Sequence, residues 1–129
     1  MRPRVLVVAE DSLLRRVMRR AFQRARPTWD IVCAADLEGC AEHCAENPVD
    51  VVLADVDRAH SEGARALRWF EDNHPSVGRV ALATPATLAV AGVADSPVAV
   101  CAVEPQRALA TLDRVVESVR VPLARPGPS

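Results

Sequence analysis

At four places in this chain an apolar run leads into a side chain that carries oxygen. Val5 to Ala9 precedes Glu10 and Asp11, and Val51 to Ala54 precedes Asp55 and, two residues on, Asp57. Arg79 to Ala83 precedes Thr84, and Val98 to Val103 precedes Glu104. Carboxylates gathered without histidine or thiolate partners suit a hard cation such as Mg²⁺, which takes oxygen ligands and keeps several waters. A carboxylate can also accept a phosphoryl group and become an aspartyl phosphate. Both chemistries meet at Asp55.

These side chains converge only if the runs are neighbouring parallel strands, because ligands of an open parallel sheet bind outside the carboxyl ends of its strands. The pattern supports this. Short apolar runs at 5–9, 29–34, 50–54, 79–83 and 98–103 are the expected strands. Between them lie segments of helical period. Ser12 offers an N-cap for a helix whose stripe is Leu14, Val17, Met18, Ala21, Phe22 and Ala25, ended by Pro27. Asp36 caps a second helix over Leu37 to Glu46, and a third spans Glu62 to Asn73. A short one is expected within Ala86 to Val93, interrupted by Gly92, and a last one from Pro105 to about Arg120. Five strands alternating with five helices, the fourth of them short, predict an α/β doubly wound parallel sheet with right-handed crossovers. Residues 1–121 form the expected domain, and Pro122 to Ser129 a proline-rich tail or linker.

The chain has 129 residues, half of them apolar and 26% charged, with a net charge of -1. That describes one folded globular domain and gives no electrostatic reason to expect nucleic acid. No run approaches the ~20 apolar residues of a membrane span, and the N-terminal run is too short for a signal-peptide core. A cytoplasmic location is therefore expected. Cys33, Cys40, Cys44 and Cys101 are expected as buried thiols without bridges. Every basic residue other than histidine is arginine, so no site can rely on a lysine ammonium.

With the strand ends in place, the chain resembles the receiver domains of bacterial response regulators from about Arg4 to Arg120. Val7-Val8-Ala9-Glu10-Asp11-Ser12 falls on that family's first strand and acidic pair. Asp50 to Asp55 falls on the strand that ends in the phosphoacceptor, with Gly63 eight residues later. Val80 to Thr84 falls on the strand ending in the switch hydroxyl, and Glu104-Pro105 on the family's Lys-Pro. The resemblance implies a flavodoxin-like sheet of order 2-1-3-4-5. It also implies Asp55 as phosphoacceptor, Thr84 as switch hydroxyl, and Glu10, Asp55 and the Asp57 main-chain carbonyl as Mg²⁺ ligands.

Several positions depart from the family pattern. Ala9 replaces an acid, Cys101 stands at the aromatic switch position, Arg58-Ala59 replaces Met-Pro, and Glu104 replaces the lysine that would neutralise a phosphoryl oxygen. Like charges ~4 Å apart repel by about 4 kcal/mol at an effective dielectric of ~20. Weak Mg²⁺ binding and weakened or absent phosphorylation are therefore expected. The leading reading is an atypical receiver acting in signalling through protein-protein interaction, not an enzyme beyond weak autophosphorylation and autodephosphorylation at Asp55. Its alternative is a functional phosphorelay receiver phosphorylated on Asp55 with Mg²⁺. The implied partners are a histidine kinase or an effector domain of its own. The resemblance also implies a contact face, for a partner or for self-association, built from the short helix, the fifth strand and the last helix. A nucleotide or flavin binder would need a glycine-rich phosphate loop and stacking aromatics, which the chain lacks.

Arg15, Arg16, Arg19, Arg20 and Arg24 form ridges on the first helix, read either as a solvated face or as a docking surface for an acidic partner. Cys40, His43 and Cys44 share one helical turn but lack zinc-site spacing, so metal or redox work is not expected there. Trp69 and Phe70 are adjacent and cannot both be fully buried on one face.

Overall fold

The computed structural model describes residues 2–56, 61–83 and 99–124. Five strands, β1 (Arg4–Val8), β2 (Asp30–Ala34), β3 (Val51–Asp55), β4 (Gly78–Leu82) and β5 (Ala99–Cys101), form one parallel sheet in the order β2-β1-β3-β4-β5. The four described helices are α1 (Ser12–Ala25), α2 (Leu37–Glu46), α3 (Glu62–Asn73) and α4 (Pro105–Ala124). The short helix expected within 86–93 lies outside the described residues.

Alternation of side chains along the buried strands makes two cores. Leu6, Val8, Val52, Ala54 and Ala81 face α2 and α3, where Cys40, Ala64, Leu67 and Phe70 meet them. Val5, Val7, Val51, Leu53, Val80 and Leu82 face α1 and α4, where Met18, Phe22, Ala108, Leu112 and Val116 meet them. Strands buried on both faces have no polar face to show, which is why they read as continuous apolar runs.

The structure corrects several sequence expectations. Asp11, not Ser12, caps α1, its carboxylate accepting from the Leu13 and Leu14 amides at 2.8 and 3.4 Å. Val17 is 43% exposed and Ala25 is exposed, because the buried stripe of α1 is centred on Met18 and Phe22, and Val17 lies about 100° around the helix from Met18. Helix α4 continues to Ala124, so the first three residues of the expected tail are helical. Pro122 supplies no amide to that helix, yet one missing bond does not end it. Phe70 is fully buried and Trp69 half-buried, their rings edge-on with centroids 5.0 Å apart.

At the opposite end of the sheet from the strand-end acids, the nearly buried Arg4 ties elements together. Its Nη1 donates to the carbonyls of His43 and Asn47 at 3.1 and 2.7 Å, closing the end of α2, while Nε lies 3.2 Å from Asp30. Its own amide donates to Asp50 Oδ2 at 2.7 Å.

Candidate functional site

The carboxyl ends of β1, β3 and β5 do bring the expected residues to one end of the sheet. At the end of β1, Ala9 is fully buried and its amide donates to the Ala34 carbonyl at 3.1 Å. Arg15 folds back from α1 to donate to the Ala9 and Glu10 carbonyls at 2.6 and 3.1 Å. Arg15 is thus partly engaged in holding this loop, whereas Arg16, Arg19, Arg20 and Arg24 are exposed.

Both loop acids have structural partners. Asp11 caps α1, and Glu10 Oε1 accepts the Glu62 amide at 3.1 Å, at the first turn of α3. Glu62 in turn accepts the Leu37 amide at 3.0 Å at the first turn of α2, and its second oxygen takes Arg65 Nη1 at 2.7 Å. Carboxylates satisfy orphan amides and the positive end of the helix dipole. The relay from Glu10 to Glu62 to Leu37 therefore joins the β1 loop to the starts of α3 and α2. It borders an open cleft of about 720 Å³ lined by Glu10, Asp36, Leu37, Glu38, Glu62 and Arg65, among others.

Asp55 ends β3 partly exposed, and its backbone is clamped from α3. A Cβ on Gly63 would lie 2.0 Å from the Asp55 carbonyl oxygen, so α3 reaches this strand only because residue 63 has no side chain. Ser61 Oγ caps α3 by accepting the Ala64 amide at 3.1 Å. Asp57, Arg58 and Thr84 lie outside the described residues.

At the end of β5, Cys101 is buried in the core shared with α4. Burial pushes its thiol up, an effect partly offset by a hydrogen bond with Thr111. Glu104 is not buried among the other acids. Its side chain is 63% exposed and lies 3.4 Å from Arg107 Nε, one turn into α4.

A hard divalent cation needs several converging oxygens. Among the described residues no three histidine, cysteine, aspartate or glutamate side chains converge, and the Glu10 carboxylate already accepts a helix amide. The ligand set that the resemblance implies also includes the Asp57 main-chain carbonyl, which lies outside the described residues. Cys40, His43 and Cys44 share one turn of α2. His43 Nε2 donates to the Cys33 carbonyl at 2.9 Å, and burial pushes Cys40 up to about 12 and raises Cys44. All four cysteines are free thiols.

The reading from sequence missed Glu62, Arg65 and Arg107. Arg107 was accessible as the i+3 neighbour of Glu104 on a helix beginning at Pro105. The Glu62 relay was not, since its partners are 25 and 52 residues away.

No family model matches the chain, and no curated protein matches it in sequence. Solved structures do match. A CheY-like response regulator receiver domain protein from Methanospirillum hungatei superposes with a TM-score of 0.74 at 13% identity, over 93% of this chain and 98% of that one. A two component transcriptional regulator AraC from Clostridium phytofermentans gives 0.78 at 16% identity, over 95% and 99%. The chemotaxis response regulator CheY4 of Vibrio cholerae gives 0.71 at 18%, over 89% and 99%. With its strand order, its two-sided core and these superpositions, the chain has the flavodoxin-like fold of response-regulator receiver domains.

Proposed function

We propose that this chain is an atypical receiver that works in signal transduction through protein-protein recognition, with phosphoryl control at Asp55 weakened or lost. The observation that carries this reading is the bond from the Glu62 amide to Glu10. The acid that the resemblance assigns to Mg²⁺ has one oxygen engaged at the first turn of α3, and beside it Ala9 has no carboxylate to offer. Glu104 supports the same conclusion, since an anion cannot neutralise a phosphoryl oxygen. Recognition then rests on surfaces, and the exposed arginines of α1 supply the most strongly charged one, suited to a kinase or effector domain with an acidic face.

A working phosphorelay receiver is the second reading, and the Glu104–Arg107 pair favours it. A guanidinium one turn into α4 offsets the acid and places a cation near the β5 end. The deciding experiment is intact-protein mass after incubation with acetyl phosphate and Mg²⁺, for the wild type, Asp55→Asn and Glu104→Lys. The atypical reading expects no adduct on the wild type. An adduct on the wild type that disappears in Asp55→Asn overturns it in favour of the second reading. An adduct gained only in Glu104→Lys would identify Glu104 as the block.

A further inference from the structure

The two helices that flank edge strand β2 carry opposite charge. Helix α1 has five arginines and no acid, and α2 has Glu38, Glu42 and Glu46 with neither lysine nor arginine. Arg16, Arg19 and Arg20 are exposed and make no ion pair among the described residues, and the same holds for Glu38 and Glu42. Glu46 touches Arg4 and His43 only at 3.8 and 3.7 Å and stays 66% exposed. Within one molecule these charges cannot meet, because α1 packs in one core and α2 in the other, on opposite faces of the sheet.

Among the described residues strand β2 pairs only with β1, so its other side is the sheet edge. The Ala34 carbonyl points to β1, where it accepts the Ala9 amide. By strand alternation the Cys33 carbonyl points outward, and there His43 Nε2 donates to it at 2.9 Å. This edge is therefore partly closed to strand addition, and any contact across it falls to the flanking helices. Arg15 and Arg19 lie toward this edge, near enough to act on the Cys33 thiol. On α2 the edge side is marked by His43, with Glu42 and Glu46 beside it.

We propose that the β2 edge is a self-association surface, on which α1 of one copy faces α2 of a second copy. A two-fold axis parallel to the strands turns the sheet over, so that each arginine face meets the partner's glutamate face and both pairings form at once. Glu42 and Glu46 flank His43 on the edge side of α2, one turn and about 6 Å apart along its axis, within the reach of Arg16, Arg19 and Arg20 on a facing helix. The occupant is a second copy because the chain itself carries both halves of the complementary pair. The surface lies at the opposite edge of the sheet from β5, where the resemblance placed a contact face.

The test is sedimentation velocity on the full chain up to about 0.5 mM, with NaCl varied from about 50 mM to about 1 M. The expected result is a dimer whose apparent Kd rises at least ~10-fold across that range, because exposed charges are screened by salt. Arg16→Glu/Arg19→Glu/Arg20→Glu and Glu42→Arg/Glu46→Arg are each expected to be monomeric, and their equimolar mixture to dimerise again. Far-UV circular dichroism checks that both stay folded, and glutamine at the same positions provides a milder set. A wild type that stays monomeric at low salt overturns the proposal. So does a dimer that survives both reversals, which would place the contact elsewhere, or a mixture that fails to restore it.

Discussion

Replacing Gly63 with alanine puts a methyl carbon 2.0 Å from the Asp55 carbonyl oxygen and 2.7 Å from its carbonyl carbon. Both are backbone atoms in the centre of the sheet, so no rotamer change relieves the overlap. An ordinary contact of about 3.5 Å requires α3 to withdraw by roughly 1.5 Å. That displacement loosens Ala64, Leu67 and Phe70, which are buried against Leu6, Val52 and Ala54. Overpacking of this kind costs about 1–3 kcal/mol, and a gap of 0.5–1 Å forfeits roughly a quarter to half of each dispersion contact. Against this, alanine is favoured over glycine in a helix by up to about 1 kcal/mol. The net expectation is a loss of about 2–4 kcal/mol, read as a urea midpoint lowered by about 1–2 M at unchanged slope, or a Tm lowered by roughly 8–15 °C. Gly39→Ala is the control. There the new Cβ meets the Ala34 Cβ at 3.1 Å and the Asp36 carboxylate at 3.3 Å, with the nearest backbone atom at an ordinary 3.7 Å, and the expected change is within about 1 kcal/mol of zero. If Gly63→Ala loses less than about 0.5 kcal/mol, the close approach of α3 to β3 is wrong, and with it the clamp on Asp55.

Arg4→Met is expected to cost about 2–3 kcal/mol in a urea melt, because the His43 and Asn47 carbonyls at the end of α2 lose their donor. Lysine there should restore only part of the loss, because a single ammonium cannot serve both the two carbonyls and Asp30, which different guanidinium nitrogens meet. Glu62→Ala should cost about 1–2 kcal/mol by freeing the Leu37 amide, whereas Glu62→Gln keeps the acceptor and should cost less. Burial raises all four thiols, Cys40 to about 12, so the folded state holds protons that the unfolded state releases above pH ~9. Stability is then fully present below pH ~9 and falls as pH rises toward 12, and Cys40→Ala should flatten that fall in denaturation measured from pH 8 to 11. Consistent with this, iodoacetamide at pH 8 should label Cys40 only after unfolding, as followed by intact mass.

The strands and helices were legible in the sequence because burial on both faces leaves an unmistakable pattern. Val5 to Ala9 and Val51 to Ala54 are apolar without alternation, and α2 and α3 begin and end where the sequence placed them. Helix ends were less legible. Ser12 and Asp11 are both good caps, and only the backbone geometry shows that Asp11 receives the amides. The α1 stripe was drawn too wide because Val17 is apolar and one step from Met18, yet the sheet reaches only one side of the helix.

The sequence by itself determined the α/β class and the apolar runs that lead into oxygen-bearing residues, because these follow from period and position along the chain, while the strand order came from the resemblance. Only the tertiary structure decided which donors reach the described ones among those residues. Glu10 could meet a cation or a helix start, and the Glu62 amide, 52 residues away, reaches one of its oxygens. Glu104 could sit among carboxylates or turn to solvent, and it turns to Arg107. A carboxylate's role depends on which donor reaches it first in space, and that distance is set by the packing of α3 and α4 on the sheet, not by spacing along the chain.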